Sequence, residues 1–155
     1  MRGLTCSSST GKLWTSLQLR GVRWLIILRF VAPTYRKCQN GTHVLRCSGP
    51  DWYEFGEFCY KPFEDKKTWA DAQDTCRSLG AELVSIRSMV EQSWLESYLY
   101  FATSDMWTGL NDLLVSGMYV WSDHHMVTFT YWAPGEPNNH HGFNDDCVKM
   151  LHQVR

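Results

Sequence analysis

Two stretches with helical periodicity, followed by a run of short apolar stretches, constrain the fold of this chain most strongly. Thr68 and Asp71 have the spacing of a capping box, with Asp in place of the usual Glu, and Gly80 supplies a stop signal. Ser88 and Glu91 predict the cap of a second helix. Two helices followed by short strands are typical of an α+β domain. Apolar residues recur at helical spacing behind both caps (Trp69, Ala72, Cys76 and Leu79, then Val90, Trp94, Leu95, Tyr98 and Leu99), and short strands are predicted later (83–86, 106–110, 118–121 and 127–132).

The six cysteines are widely spaced, and no two of them form a C-x-x-C pair. This spacing argues against zinc ribbons and thioredoxin-like sites and favours disulfides formed in an oxidising compartment. Cys47 and Cys59 flank an aromatic-rich stretch with Gly56 as a turn residue, which predicts a hairpin closed by a disulfide. Asn40 begins an Asn-Gly-Thr glycosylation acceptor, which agrees with secretion but is a short motif that arises by chance.

Charge divides the chain near residue 46. Residues 1–46 contain eight Lys or Arg and no Asp or Glu, whereas the remainder carries 7 basic and 16 acidic residues, a formal −9. We therefore predict that residues 1–46 are a leader, linker or non-native extension with little order, and that residues 47–155 form the domain. The excess of acidic residues in this domain gives no reason to expect a nucleic-acid partner.

The apolar run 24–32 resembles the h-region of a signal peptide, although Arg29 interrupts it. An organelle transit peptide and an extension without a fold of its own are the alternatives. The run is too short for the roughly 20 apolar residues of a membrane span. We expect residues 1–40 to be poorly packed.

The run Glu136-Pro137-Asn138 places a carboxylate, a proline and an amide in one loop, with Asp145 and Asp146 a few residues later. Oxygen ligands of this kind suit Ca²⁺, and an X-Pro bond can be cis at modest cost, which would turn both side chains to the same side. A calcium ion held in this way keeps coordination positions open for sugar hydroxyls. A polar turn without a ligand is the alternative, since Pro and Asn are ordinary turn residues.

A series of motifs, in order along the chain, resembles a C-type lectin domain over about residues 47–151. The resemblance implies the α+β C-type lectin-like fold in its long form, with an N-terminal hairpin, and it is greatest to one carbohydrate-recognition domain of a mannose-receptor-type endocytic receptor. The motifs are the Cys47…Cys59-Tyr60 hairpin, the helix with Cys76, Trp107-Thr108-Gly109-Leu110-Asn111-Asp112, Val120-Trp121-Ser122-Asp123, Trp132 with Glu136-Pro137-Asn138, and Asp146-Cys147-Val148.

The resemblance implies a role for each residue of the loop. Glu136 and Asn138 would bind both Ca²⁺ and sugar, and Pro137 would set the loop. Asp145 stands where the family has a further acidic ligand, usually Glu, although Asn144 or Asp146 could substitute because the loop is longer here. Glu-Pro-Asn marks the mannose, N-acetylglucosamine and fucose class, whereas Gln-Pro-Asp would mark galactose.

The sequence also departs from the family pattern. The family continues after Cys147 to a Trp-Asn-Asp motif that completes the calcium shell, and to cysteines that pair with those at Cys76 and Cys147. We therefore expect a C-terminally truncated domain in which Cys47–Cys59 is the complete disulfide and Cys76 and Cys147 are unpaired. Calcium affinity should then be weaker than in a complete domain.

Other candidate side chains receive plainer interpretations. Asp112, Asp146 and Asn139 stand where some family members bind a second calcium, but Ser116 replaces an acidic ligand, so we expect solvated carboxylates. Tryptophans at strand positions are expected in the core (Trp107, Trp121 and Trp132). Adjacent histidines in loops are expected to be exposed rather than zinc ligands (His124, His125, His140 and His141). No Ser or Cys nucleophile with an oriented base is discernible, so we do not expect an enzyme.

Three functions compete at this point. The first is calcium-dependent binding of mannose-type glycans or glycoproteins by an extracellular lectin domain, secreted or part of the ectodomain of an endocytic plasma-membrane receptor. The domain would meet the membrane only through other parts of that receptor. The second is a calcium-independent module that binds a protein ligand. The third is a truncated product without function.

Overall fold

The computed structural model of the chain describes residues 25–31, 47, 51–99, 104–138 and 146–151. Two helices and short, mostly antiparallel strands confirm the predicted α+β class. Among the described helices, none has the length and apolar character needed to cross a membrane. The elements are β1 (Leu25–Val31), β2 (Tyr53–Phe55), β3 (Phe58–Phe63), α1 (Trp69–Ser78), β4 (Glu82–Leu83), α2 (Met89–Leu99), β5 (Met106–Asn111), β6 (Val120–Trp121) and β7 (Cys147–Met150).

The predicted hairpin forms from β2 and β3, and Cys47 and Cys59 are joined in a disulfide beside it. α1 begins after Thr68, whose Oγ1 accepts a hydrogen bond from the Asp71 N–H at 3.1 Å. Gly80 follows the helix at φ +72°, a conformation that favours glycine. Leu79, predicted on the apolar face, is 49% exposed because it lies at the C-cap, where the helical path ends.

The second helix is fixed to the hairpin by a buried carboxylate. Glu91 is only 5% exposed, and its two oxygens accept hydrogen bonds from the Tyr60 hydroxyl (2.6 Å) and the Arg87 N–H (2.9 Å). Val90, predicted in the buried stripe, is instead 70% exposed. Glu91 takes the inward position next to it because the Tyr60 hydroxyl provides a partner there, so polar pairing overrides the apolar pattern at the start of α2.

β1 corrects part of the prediction for residues 1–46. Residues 25–31 lie inside the sheet, whose strand order is β2-β3-β1-β5-β6, with β4 paired to β1 and β7 paired to β5. β1 runs antiparallel to β3 over six residue pairs and parallel to β5 over two. An apolar run too short for a membrane span is long enough for a strand, and this run is rich in the β-branched and aromatic residues that strands favour. The boundary at residue 46 stays a prediction, and Asn40 lies outside the described residues.

The core consists of two clusters on either side of β5. One contains Tyr60, Leu95 and Trp121, and partly buried Trp132 packs against it. The other contains Trp69, Trp107, Cys76 and Cys147, together with Ala72 and Leu83. Trp107 and Trp121 are therefore core residues, as predicted. The indole N–H of Trp69 donates to the Thr108 carbonyl at 2.7 Å, which ties α1 to β5.

The two cysteines expected to be unpaired behave differently. Cys76 is a free, fully buried thiol, and burial, helped by the nearby Glu82 charge, raises its pKa to about 12. Cys147 is disulfide-bonded, so the expectation was wrong for this residue. Pairing with Cys6 or Cys38 was conceivable from the sequence, but no pattern of residues supported it. The cysteines at positions 6 and 38 precede the domain and lie outside the described residues.

Candidate functional site

The Glu136 loop is anchored to the core on the side that precedes it. The ring of Trp132 lies 4.9 Å from the ring of Tyr119, and Ala133 is buried. A turn then follows, in which the Glu136 N–H donates to the Ala133 carbonyl at 2.9 Å. The sheet therefore fixes where this loop emerges, although the loop itself is not part of a strand.

Within the loop, local hydrogen bonds set the orientation of two candidate ligands. The Glu136–Pro137 bond is cis, the form that an X-Pro bond can adopt at modest cost. Glu136 Oε2 accepts from the Asn138 N–H at 3.1 Å, and Asn138 Nδ2 donates to the Gly135 carbonyl at 3.1 Å. Neither bond uses Glu136 Oε1 or Asn138 Oδ1, so one oxygen of each side chain is available to an external partner. Both residues are half-buried, and Pro137 is exposed.

The third predicted ligand, Asp145, lies outside the described residues, as do Asn139, His140, His141 and Asn144. Asp146 is described and lies directly before β7. Its carbonyl accepts from the Asp112 N–H at 3.0 Å, which holds the start of β7 beside the end of β5. The structure therefore describes Glu136 and Asn138 together, and Asp112 beside Asp146, but not the residue expected to complete the first set.

Asp112 corrects the expectation of a solvated carboxylate. It is 3% exposed, and its Oδ2 accepts from the Gly117 N–H at 2.6 Å. Its Oδ1 is buried and has no hydrogen-bond partner among the described residues. Desolvation raises the pKa of Asp146, and repulsion from the Asp112 charge raises it further. Asp146 therefore lies where the nearby Asp112 charge opposes its ionisation, and Asp112 keeps one buried oxygen without a partner among the described residues.

Sequence reasoning did not identify Gly117 as part of this arrangement. Its φ of +82° lets the chain turn back so that its N–H meets the Asp112 carboxylate. A glycine five residues after an aspartate, inside a predicted loop, was the available signal. The turn brings the Gly117 N–H to the carboxylate of Asp112, which is buried at the end of β5. The pattern of apolar residues in the sequence does not show that Asp112 is buried.

The oxygen donors fit calcium as part of a ligand shell. Ca²⁺ takes six to eight oxygens from carboxylates, amides, water and ligand at about 2.3–2.6 Å. Glu136 and Asn138 each offer one unused oxygen, and the Asp112 Oδ1 is the kind of orphaned buried acceptor that a cation satisfies. Within the described ranges no three His, Cys, Asp or Glu side chains are grouped closely enough to hold a metal ion. Glu136 and Asn138 therefore supply only part of a shell, and Asp112 belongs to the separate pair with Asp146.

Of the two described histidines, His125 contacts a carboxylate. His125 Nδ1 lies 3.1 Å from Asp123 Oδ2, and the His125 N–H donates to Asp123 Oδ1 at 3.1 Å. The Ser85 hydroxyl donates to the same carboxylate. Burial alone would raise the pKa of Asp123, but hydrogen bonds from Ser85 and His125 outweigh it and hold that pKa below its ordinary value. His124 and His125 are both exposed, as expected.

Comparison with known proteins agrees with this geometry. The sequence profile of the Lectin C-type domain family matches residues 65–155. The chain is 37% identical to human C-type mannose receptor 2 over 101 residues, which are 65% of this chain and 7% of that receptor, so the chain spans only a small part of that relative.

Solved structures agree as well. The cow C-type carbohydrate-recognition domain of CD23, crystallised in the presence of a GlcNAc2Man3 oligosaccharide, is 34% identical, with a TM-score of 0.62 over 68% of this chain and 80% of that one. A calcium-independent type II antifreeze protein is 26% identical, with a TM-score of 0.62 over 69% of this chain and 78% of that one. The chain belongs to the C-type lectin domain family, whose members bind carbohydrate and are not enzymes.

Proposed function

We propose that this chain binds mannose-type glycans through a calcium ion held by Glu136, Asn138 and Asp145. The observation that carries the proposal is the pair of hydrogen bonds that leave Glu136 Oε1 and Asn138 Oδ1 unused in one loop. Each unused oxygen is an acceptor that a bound cation can fill. Asp145 enters as the third ligand from the family resemblance.

The chemistry of binding follows from the donors and acceptors of the two side chains. When bound, the calcium ion supplies open coordination positions that two adjacent sugar hydroxyls can fill. Glu136 accepts a hydrogen bond from one hydroxyl. The Asn138 amide has two N–H donors, one of which is used by the Gly135 carbonyl, so the other remains for a sugar oxygen. An acceptor followed by a donor in this order supports the mannose, N-acetylglucosamine and fucose class.

The setting of the domain is part of the same proposal. The Cys47–Cys59 disulfide and the bonded Cys147 support an oxidising compartment. The relationship to one domain of a mannose receptor supports an extracellular position, in a secreted protein or a receptor ectodomain that carries glycoproteins into the cell. Glycosylation at Asn40 would be consistent with this setting.

A glycan array tests the proposal directly. The full chain should retain mannose, N-acetylglucosamine or fucose ligands in Ca²⁺ and lose them in EDTA. Exchanging the two side chains, Glu136→Gln with Asn138→Asp, should move preference toward galactose because the acceptor and donor change places. Glu64→Gln, an exposed carboxylate outside the loop, is the matched control and should leave the array unchanged. Unchanged mannose selectivity in the double variant would rule out direct contact.

A calcium-independent protein-binding module is the second candidate, because the loop after Asp112 exposes apolar side chains. Leu114 is 87% exposed and Met118 is 65% exposed. Tyr119, which follows them, contacts Trp132 near the start of the Glu136 loop. Exposed apolar groups of this kind mark protein-binding surfaces when they are contiguous. Capture of a protein partner that persists in EDTA, together with an empty glycan array, would favour this function over the first.

A further inference from the structure

β1 holds an unusual place in the sheet. Among the described strands, the β2–β3 hairpin pairs with the rest of the sheet only through β1, because β3 pairs with β2 on one side and with β1 on the other. β1 in turn pairs with β4 and β5. Without β1, the hairpin would lose its strand pairing to the sheet that carries the Asp112 end of β5. A segment predicted to be peripheral is therefore central to the sheet.

The chain that connects β1 to the hairpin has both of its ends close to Cys59. Phe30 lies opposite Cys59 in the register of β1 and β3. Cys47 is bonded to the same Cys59, with 5.6 Å between their Cα atoms. Residues 32–46 join these two points. Fifteen residues can extend to about 50 Å, so the length of the connection does not require β1 to pair with its own hairpin.

The place between β3 and β5 is costly to leave empty. An unoccupied place would leave β3 and β5 with open edges, and the unpaired N–H and C=O groups of an open edge are a template for pairing with another strand. Loop closure favours the chain's own strand at low concentration. At high concentration a second copy offers the same strand in the same register, because the contacts in an exchanged dimer are identical.

We propose that the place between β3 and β5 is a strand-acceptor site that binds Leu25–Val31 of a second copy of this chain, giving a strand-exchanged dimer. Each half of the dimer then contains β1 of its partner, and the pair carries two Glu136 loops. The bivalent glycan capture that would follow rests on the proposed function. The exchange itself does not depend on it, since β1 pairs on the backbone of β3, β4 and β5 and not on the loop.

Two single-cysteine variants test the exchange. Leu28 lies opposite Lys61 in the register of β1 and β3. One chain carries Leu28→Cys, the other carries Lys61→Cys, and the two are refolded together at high concentration and oxidised. Peptide mapping should find residue 28 of one chain linked to residue 61 of the other. Leu28→Cys mixed with Asp74→Cys, on the exposed face of α1, is the control and should give no such link.

The wild-type chain provides a second measurement if these variants fail to fold. Native mass spectrometry after refolding at increasing concentration should show a dimer fraction that rises with free monomer and persists after dilution, because return to monomer requires β1 to leave the sheet. A monomer at every concentration would overturn the proposal, as would a dimer without the 28–61 link. Glycan binding plays no part in either readout, so these results are independent of the proposed function.

Discussion

Two regions of the molecule treat their buried carboxylates in opposite ways. In the scaffold formed by the hairpin and α2, Glu91 accepts hydrogen bonds on both oxygens. At the end of β5, beside the start of β7, Asp112 is equally buried, yet its Oδ1 has no partner among the described residues and its charge repels that of Asp146. A carboxylate whose acceptors are all used stabilises the fold. A carboxylate with an unused buried oxygen keeps an acceptor open to a further partner, and Asp112 at the end of β5 is such a carboxylate.

The largest expected effect comes from breaking the scaffold at β1. Leu28 pairs with Lys61 on one side and Leu83 on the other, so Leu28→Pro removes an N–H from a strand that is paired on both sides. The free energy of unfolding should fall by about 3 kcal/mol or more, measured by urea denaturation. Leu28→Val, which keeps the N–H and a strand-forming side chain, is the control. Equal stability of the two variants would place residues 25–31 outside the sheet in solution.

A smaller loss is expected when the satisfied carboxylate is removed. Glu91→Ala leaves the buried Tyr60 hydroxyl and the Arg87 N–H without their acceptor, and each orphaned group costs about 1–3 kcal/mol. We expect a total loss of about 2–6 kcal/mol in urea denaturation, with or without Ca²⁺. Glu64→Ala removes an exposed carboxylate and should change stability little. If Glu91→Ala leaves the free energy of unfolding unchanged, Glu91 does not stabilise the fold and does not differ from Asp112 in this respect.

Removing the charge of Asp112, the carboxylate with an unused oxygen, should not lower stability in the way that removing Glu91 does. In EDTA, Asp112→Asn removes a charge that repels Asp146, so stability should stay the same or rise by up to about 1 kcal/mol. In Ca²⁺ the same variant should lose part of any stabilisation that the ion gives to the wild-type chain. Thermal melts of both proteins in EDTA and in Ca²⁺ measure this difference. A large destabilisation in EDTA would show that Asp112 is structural in the same sense as Glu91.

The smallest effect concerns Asp123, a loop carboxylate that is paired internally as Glu91 is. Its folded-state pKa is held below the ordinary 3.8 by Ser85 and His125, against the effect of burial. Its contribution is therefore complete above the unfolded pKa and is lost as pH falls below about 4 through the folded value. Melting temperatures of the wild type and Asp123→Asn, compared between pH 6 and pH 3, should converge at the acidic end. If the difference in melting temperature between the two proteins does not decrease toward pH 3, the ionisation of Asp123 does not contribute to the stability of the fold.

The sequence predicted the elements that have local signals. The Thr68 cap, the Gly80 stop, the hairpin with Cys47 and Cys59, and the cis bond before Pro137 all follow from short-range chemistry. β1 could not be predicted in the same way, because a seven-residue apolar run has no period that separates a strand from a leader. Its place in the sheet depends on pairing with strands that lie far along the chain.

The site was predictable in its residue types but not in its burial. Glu136 and Asn138 lie in one loop with an unused oxygen each, and their residue types already indicated oxygen ligands. The burial of Asp112 depends on β5 and on the turn at Gly117, and the disulfide bonding of Cys147 was likewise not predicted. Both features depend on the tertiary structure, which residue spacing and composition do not determine.

Calorimetric titration of the full chain with Ca²⁺ tests the central claim most directly. The wild type should take up calcium, and Glu136→Gln should lower the affinity at least about tenfold, which corresponds to the loss of about 1.4 kcal/mol of binding free energy. Glu64→Gln should bind as the wild type does. If the wild type takes up no calcium, or if Glu136→Gln binds it as tightly as the wild type, the loop is a polar turn and the account of a calcium-dependent lectin site is wrong.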